Sequence, residues 1–439
     1  MITDNQKKIL FLQKINHMKI KLLLFVLLFS SISFSQTKVC GMEEKMEALL
    51  FNPLMKQKFD AQQLKSEQEL VRLQSSRLAN GNTTNSNPVR IPVAVHFPNA
   101  GAANATLRNC LRALAQNQID ILNEDYNAQN ADLSNWTDNT SFNYPGVNYG
   151  SLNVQMELAT QNHPAVSGLA NGEVAVTFGY NYGDTDLGSG ELDWDTNWAG
   201  YLNIVVRNDL GSTLGYAYLA SDPADGAAIF MNNAAFGSVG NGCAGYMPGA
   251  PYNLGRTLTH ELGHYFNLRH IWGSGFCGND FVADTPQHNT SNGGCPPSNH
   301  LSTCPGTPLE LTMNYMDYTN DACMYMFTAG QALRQQAHFN TIVNNFNETT
   351  LSNNDFDKKN SFTLYPNPNK GDFTILFADY LSSFSVNVVD QSGRIVFDKK
   401  YDTQLDLEQN ISLENIASGI YFVKVSSDQG TMVKKIVVE

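Results

Sequence analysis

The stretch Thr259-His260-Glu261-Leu262-Gly263-His264 constrains this chain more than any other. On an α-helix, residues four apart lie one above the other on one face, so His260 and His264 can turn ring nitrogens toward one point. Two imidazoles held that way suit Zn²⁺, which takes nitrogen ligands at about 2.0–2.1 Å. Glu261, beside them and out of line, is placed to take a proton from an attacking water. A third histidine, His270, lies six residues beyond His264, too far for the same helical face. A helix predicted over 254–266 must therefore end and reverse before it. Asn267 stands at the reversal, and asparagine follows glycine in tolerance of left-handed backbone. Three of the nine histidines fall within eleven residues. Three ligands leave one zinc position open, the arrangement of a catalytic rather than a structural site.

The surroundings narrow the setting. Hydrophobic residues make up 42% and charged residues 16%, enough apolar matter for a core and too little charge for a disordered chain. The length, 439 residues, suits two or three folded units. The net charge is −13, which opposes binding to nucleic-acid phosphates or anionic lipid and favours basic polypeptides as partners. A basic start at Met18-Lys-Ile-Lys, eight apolar residues from Leu22 and the small-residue Ser33-Phe34-Ser35 read as a signal peptide ending at 35. Residues 1–17 are then an N-terminal extension, or Met18 is the start. Eight apolar residues are far short of the ~20 that span a membrane, and no later stretch qualifies, so no transmembrane segment is expected. Cys277, Cys295, Cys304 and Cys323 crowd into 47 residues, which favours an oxidising, extracytoplasmic compartment. Spacings of 18, 9 and 19 do not form zinc knuckles, and sequence alone leaves three pairings open. Cys110 and Cys243 remain as a third bridge or as separate thiols.

The chain divides into 1–35 (signal), 36–88 (propeptide, helical over 42–78), 89–345 (catalytic domain), 346–360 (linker) and 361–439. The large domain opens on a strand at 90–97, continues through a helix at 107–127, and has strands at 201–207 and 214–221. Strand 214–221 is expected to line the cleft and pair with substrate backbone. The last segment has short strands beginning at Phe373, Ser385, Arg394, Ile420 and Lys435 with turns at Asp390-Gln-Ser-Gly393 and Asp428-Gln-Gly430, the pattern of a β-sandwich. Asn279-Asp280 to Asp284-Thr285 packs oxygen ligands into one loop, as Ca²⁺ prefers. Cys40, in Val39-Cys40-Gly41, offers a thiolate that could close the open zinc position.

His260-Glu-Leu-Gly-His-Tyr-Phe-Asn-Leu-Arg-His270-Ile-Trp resembles the long zinc signature of the metzincin peptidases. Gly255-Arg-Thr-Leu-Thr ahead of it, Met313-Asn-Tyr-Met-Asp-Tyr318 and Phe327-Thr-Ala-Gly-Gln331 resemble the pappalysin (cytophagalysin) family. The resemblance covers roughly 90–345 and departs from the usual pattern at Asn267. It implies an α+β fold: a mixed twisted sheet with helices, an active-site helix and a Met-turn, followed by the small all-β sandwich. It implies that Met316 packs beneath the zinc and that Tyr318 touches the metal or steadies the tetrahedral intermediate. It implies bridges Cys277–Cys304 and Cys295–Cys323, and structural calcium at Asp280 and Thr285. It implies a latch at Cys40, and Asp321 at the base of the pocket for the residue after the scissile bond. An Asp there goes with cleavage before Arg, and less so Lys; Ser76-Arg77 would be a place for self-cleavage. Leu364-Tyr-Pro-Asn-Pro-Asn-Lys-Gly371, Gly393-Arg-Ile-Val and Ser418-Gly-Ile-Tyr-Phe-Val-Lys-Val425 resemble the C-terminal sorting domain of type IX secretion cargo. The expectation is a secreted or cell-surface zinc endopeptidase, exported through the periplasm by the type IX machinery and latent when made. The competing reading is a surface-displayed binding protein on a peptidase-like scaffold.

Overall fold

The computed structural model describes residues 40–80, 88–140, 143–183, 193–297, 299–347, 362–377, 383–391, 393–401, 407–413, 416–427 and 430–439. The expected signal segment, most of the linker at 346–360 and the polar stretch 81–87 lie outside them. The described residues fall into two compact units, one within Met1–Thr349 and one within Thr350–Glu439.

The first unit is built on β1 (Val89–Phe97), whose residues from Ile91 on are all buried. Such a run, apolar but for His96, suits a strand covered on both faces. It pairs in parallel with β2 (Val154–Leu158), β3 (Val176–Phe178) and β4 (Leu202–Arg207). β4 pairs in parallel with β6 (Ala228–Asn232), and β5 (Gly215–Ala217) closes the edge antiparallel to β6. The order is β2-β1-β4-β6-β5, with β3 on the far half of β1. Among the helices, α1 (Met42–Phe51), α2 (Pro53–Asn80), α3 (Ala105–Tyr126), α4 (Arg256–Tyr265) and α5 (Ala329–Ile342) follow in chain order. α3 packs on β2 and β3, α4 on β5 and β6, and α2 along α5. Bridges Cys110–Cys243, Cys277–Cys304 and Cys295–Cys323 tie down the long connections. No helix among the described residues is long and apolar enough to cross a membrane.

Two expectations about elements change. The single helix over 42–78 is two helices, because Asn52 accepts from the backbone N–H of Leu54 and Met55 and so starts a new helix with Pro53 in its first position. The strand over 214–221 shortens to Gly215–Ala217. Beyond it Ala220 takes φ 57°, and the N–H groups of Ala220 and Ser221 turn to the carbonyls of His264 and Tyr265 at 3.0 and 3.1 Å. Those carbonyls lie in the last turn of α4, where acceptor capacity is left over, and bonding to them outweighs extending the ladder. Arg77 lies in the last turn of α2, within the span expected to be helical.

The second unit is a sandwich. One sheet has the order β10 (Ile395–Tyr401), β9 (Phe384–Asp390), β12 (Gly419–Ser427), β13 (Gly430–Val438); the other has β11 (Glu408–Ser412), β8 (Asp372–Phe377), β7 (Phe362–Tyr365). Alternate residues such as Phe373, Ile375 and Phe377 on β8 and Val386 and Val388 on β9 point into a shared core.

Candidate active site

Three imidazoles converge. Nε2 of His264 lies 3.2 Å from Nε2 of His260 and 3.2 Å from Nε2 of His270. The opposite nitrogens fix the tautomers. His260 Nδ1 donates to the Tyr315 carbonyl at 2.7 Å and His264 Nδ1 to the Leu268 carbonyl at 2.7 Å. His270 Nδ1 faces the Glu43 carboxylate at 3.2 Å. Each partner is an acceptor, so each Nδ1 carries the proton and each neutral Nε2 points a lone pair at the same space. Three lone pairs that close repel one another unless a cation lies between them. Nitrogens about 2.1 Å from a tetrahedral zinc stand some 3.4 Å apart, close to what is found. The donor set therefore fits Zn²⁺.

α4 places two of these rings, and its ends are tied down. At its start, Arg256 reaches Asp125 of α3 by a short charged contact, Asp132 at 3.1 Å and the Tyr315 hydroxyl at 2.6 Å. Thr259 donates to the other Asp125 oxygen at 2.6 Å. Tyr315, held by its hydroxyl, supplies the carbonyl that orients His260. At its end, Asn267 adopts φ 72°. The Leu268 N–H then bonds the Gly263 carbonyl at 2.8 Å and the Asn267 N–H bonds that of His264 at 2.9 Å. This is a Schellman turn with asparagine in the left-handed position, and it swings His270 back to the metal site. Gly263 leaves room beneath the histidines: a Cβ there would come within 2.5 Å of the Met316 sulfur. Met316 is fully buried there.

Glu261 is buried beside the rings. A Cβ on Gly215 of β5 would stand 2.9 Å from Glu261 Cγ, so glycine at 215 is what lets the edge strand approach the carboxylate. The Tyr318 hydroxyl lies 3.1 Å from His270 Nε2, with its ring edge-on to His270 and Trp272. Burial first, then the neighbouring charges of Cys40 and Glu261, hold its phenol well above the ordinary range, so it remains an O–H donor. The fourth side of the cluster is Cys40. Its Sγ is 3.3 Å from Glu261 Oε2 and 3.5 Å from His264 Nε2. Cys40, His260, His264 and His270 form one buried group of metal-ligand atoms within 4.8 Å of one another.

The other expected positions lie apart from this cluster. Asp321 is fully buried, and its Oδ2 accepts from the backbone N–H of Leu254 at 2.8 Å and Arg256 at 3.3 Å, capping α4. Asp280 Oδ1 and Oδ2 both lie 2.9 Å from the Thr285 hydroxyl, beside a cavity of about 210 Å³ lined by Asn279 and Gln287 among others. Burial pushes the Asp280 carboxyl up to about 7, against the lowering by the Thr285 hydroxyl and the Val282 N–H. Sequence reasoning missed Asp125, Arg256 and Tyr315. Their contacts join residues 59 to 190 positions apart, and no local pattern announces them.

Comparison with known proteins agrees with this geometry. The family described as Pregnancy-associated plasma protein-A matches residues 188–340, and the Secretion system C-terminal sorting domain matches 363–439. "Extracellular metalloprotease 1" of Coccidioides posadasii is 39% identical over 137 residues, 31% of this chain and 48% of that protein. The "Extracellular metalloprotease" of Sordaria macrospora is 40% identical over 149 residues, 32% of this chain and 48% of that protein. The chain thus spans about half the length of these relatives. Among solved structures, mature mirolysin of Tannerella forsythia in complex with a cleaved peptide is 33% identical over 58% of this chain and 93% of that one, with TM-score 0.45. The sorting domain and the extracellular relatives indicate a secreted or cell-surface location. Residues 188–340 are thus similar to the pregnancy-associated plasma protein-A (pappalysin) family of metallopeptidases, and residues 363–439 to a secretion-system sorting domain.

Proposed function

We propose that the chain is a zinc endopeptidase that hydrolyses polypeptides before Arg, and less so Lys, and that its own N-terminal segment, 36–88, keeps it latent. The observation that carries this reading is the convergence of three Nε2 lone pairs beside Glu261, with Cys40 on the remaining side. Zinc bound there would polarise the scissile carbonyl and lower the pKa of water at the open position.

The rest falls to the chain's own residues. Glu261 accepts the proton of the attacking water and returns it to the leaving amine. The Tyr318 phenol donates a hydrogen bond to the oxygen that gains charge. β5 is a sheet edge and offers its backbone to an extended substrate. The N-terminal segment now takes that place: Gly41 N–H donates to the Gly215 carbonyl at 2.9 Å, and the Met46 sulfur accepts from the Leu219 N–H at 3.3 Å. Cys40 fills the open ligand position, and removal of the segment uncovers it. Asp321 is the proposed partner of the basic side chain that follows the scissile bond. Residues 89–345 carry the chemistry, and 361–439 address the protein to the type IX machinery. Asp280 and Thr285 are proposed to hold a structural calcium; removing calcium with zinc left in place should lower the melting temperature, and an unchanged melting curve contradicts the site.

Glu261→Ala tests the central claim. Hydrolysis of a denatured protein substrate should fall by roughly 10²–10⁴-fold, the usual worth of a positioned base. Zinc content, measured by elemental analysis, should stay at the wild-type level because no ligand is touched. Near-wild-type hydrolysis at full zinc occupancy removes Glu261 from its role.

A further inference from the structure

Lys45 of α1 makes a contact that the latch does not need. Its ammonium lies 2.8 Å from Asp193 Oδ2 and 4.5 Å from the centroid of the Tyr216 ring. The same carboxylate oxygen accepts from the hydroxyls of Tyr216 at 2.9 Å and Tyr218 at 3.1 Å. Everything in this cage except the cation belongs to the sheet side. Tyr216 is the middle residue of β5 and stacks on Phe230 of β6 with the ring planes 8° apart. Tyr218 meets Trp194 edge-on, and Trp194 bridges to Ala227 ahead of β6. The aromatic face is therefore fixed by packing and the carboxylate by the two hydroxyls, and Lys45 is a guest that arrives with the N-terminal segment.

Its position relative to the metal can be estimated. Cys40 stands at the metal site and pairs with Gly215, the neighbour of Tyr216. From Cys40 to Met42 the chain takes two steps of about 3.3 Å at most, and from Met42 to Lys45 three helical rises of about 1.5 Å. That bounds the Cα separation at some 11 Å, so an extended peptide reaches the cage within about three residues. A carboxylate set against an aromatic face binds ammonium or guanidinium by charge and by cation–π attraction together.

We propose that Asp193, Tyr216 and Tyr218 form a substrate subsite for a basic side chain about three residues from the scissile bond, and that Lys45 occupies it in the latent chain as a tethered stand-in. This subsite shares no residue with Asp321, whose carboxylate accepts from the Leu254 and Arg256 N–H groups at the start of α4. Its use in turnover rests on the peptidase reading; its existence as a cation site does not.

Two measurements on the full-length chain test it. The first is the rate at which a thiol reagent modifies Cys40 in the unprocessed protein. Lys45→Gln and Asp193→Asn should each raise that rate several-fold, because both release the guest that helps hold the segment. Rates equal to wild type overturn the cation site. The second uses self-processed protein and peptide pairs that differ only by Lys or Gln at positions two to four residues either side of the cleavage point. Wild type should favour Lys about tenfold at one position, and Asp193→Asn should remove that preference while the preference for Arg directly after the scissile bond stays. A Lys preference absent from wild type, or kept by Asp193→Asn, overturns the subsite. If no peptide is cut at all while the thiol rates rise, the cation site stands and the peptidase reading fails.

Discussion

Asp321 carries two demands at once. Its Oδ2 caps the first turn of α4 through Leu254 and Arg256, and the proposed specificity asks its charge to meet a substrate guanidinium. The two roles separate by substitution. Asp321→Ala removes both the cap and the charge and should cost about 1 kcal/mol of stability, as lost N-terminal caps do. Asp321→Asn keeps an acceptor for the cap and loses only the charge. It should melt close to wild type and lose about tenfold or more in its preference for Arg over an uncharged residue after the scissile bond. Cleavage-site mapping with thermal melts checks both; an Asn variant that still selects Arg rejects the pocket role. The convergence of His260, His264 and His270 was legible in the sequence because residue type and spacing are local facts. The capping by Asp321 was not, because its partners lie 65 and 67 residues away along the chain. Asn267 could be read as a left-handed turn, since the spacing to His270 forces a reversal and few residues tolerate one.

At the scale of elements, the docking of α2 on α5 is the contact that acid should weaken. His338 of α5 is buried, with Nε2 donating to the Ser221 carbonyl at 2.9 Å and Nδ1 facing the Ser66 hydroxyl of α2 at 3.0 Å. Burial is the largest influence and lowers its pKa to about 4; the Ser221 carbonyl and Asp222 favour the charged form, and Arg334 opposes it. A depressed folded-state value means that the folded chain resists protonation. The stability this group contributes is present above about 6.5 and is lost as pH falls toward about 4, amounting to roughly 3 kcal/mol at about 1.4 kcal/mol per pKa unit. His96 and His288 are lowered similarly, while the raised carboxyls of Asp280 and Asp317 act in the opposite direction, so the contribution of His338 is read as a difference between two proteins melted between pH 7 and 4.5. His338→Gln, which can still bond to Ser221, should lose measurably less over the same interval. An identical pH slope in the two proteins contradicts the assignment. Of these elements, α5 announces itself by the capping box Thr328 to Gln331, a signal present in the sequence and not used. The break at Asn52-Pro53 was equally readable. The shortening of β5 was not, because carbonyls at the end of α4 compete for its N–H groups.

At the scale of the whole molecule, each unit draws its core from its own residues. The main core runs from Cys40 to Phe346 and includes Met42, Met46, Leu49 and Met55 of the N-terminal helices; the second runs from Phe362 to Val438. The sandwich was legible because strands such as β8 and β12 alternate, whereas β11 buries Ile411 alone among its five residues and is recruited by its pairing with β8. Independent cores make the two units separable in experiment. Deleting 361–439 removes no member of the first core, so the shortened chain should bind zinc and melt as the first unit does in the full chain. Deleting 36–88 instead strips those buried side chains from the first core and exposes Cys40's partners, so the remainder should be less stable even as its site opens. In its natural host the chain lacking 361–439 should collect in the periplasm, because the segment that resembles a sorting signal is gone while the N-terminal stretch that reads as a signal peptide is kept. Fractionation with an antibody to the first unit reads the outcome. Truncated protein outside the cell at the wild-type level rejects the sorting role, and truncated protein that fails to fold when purified rejects the independence of the cores.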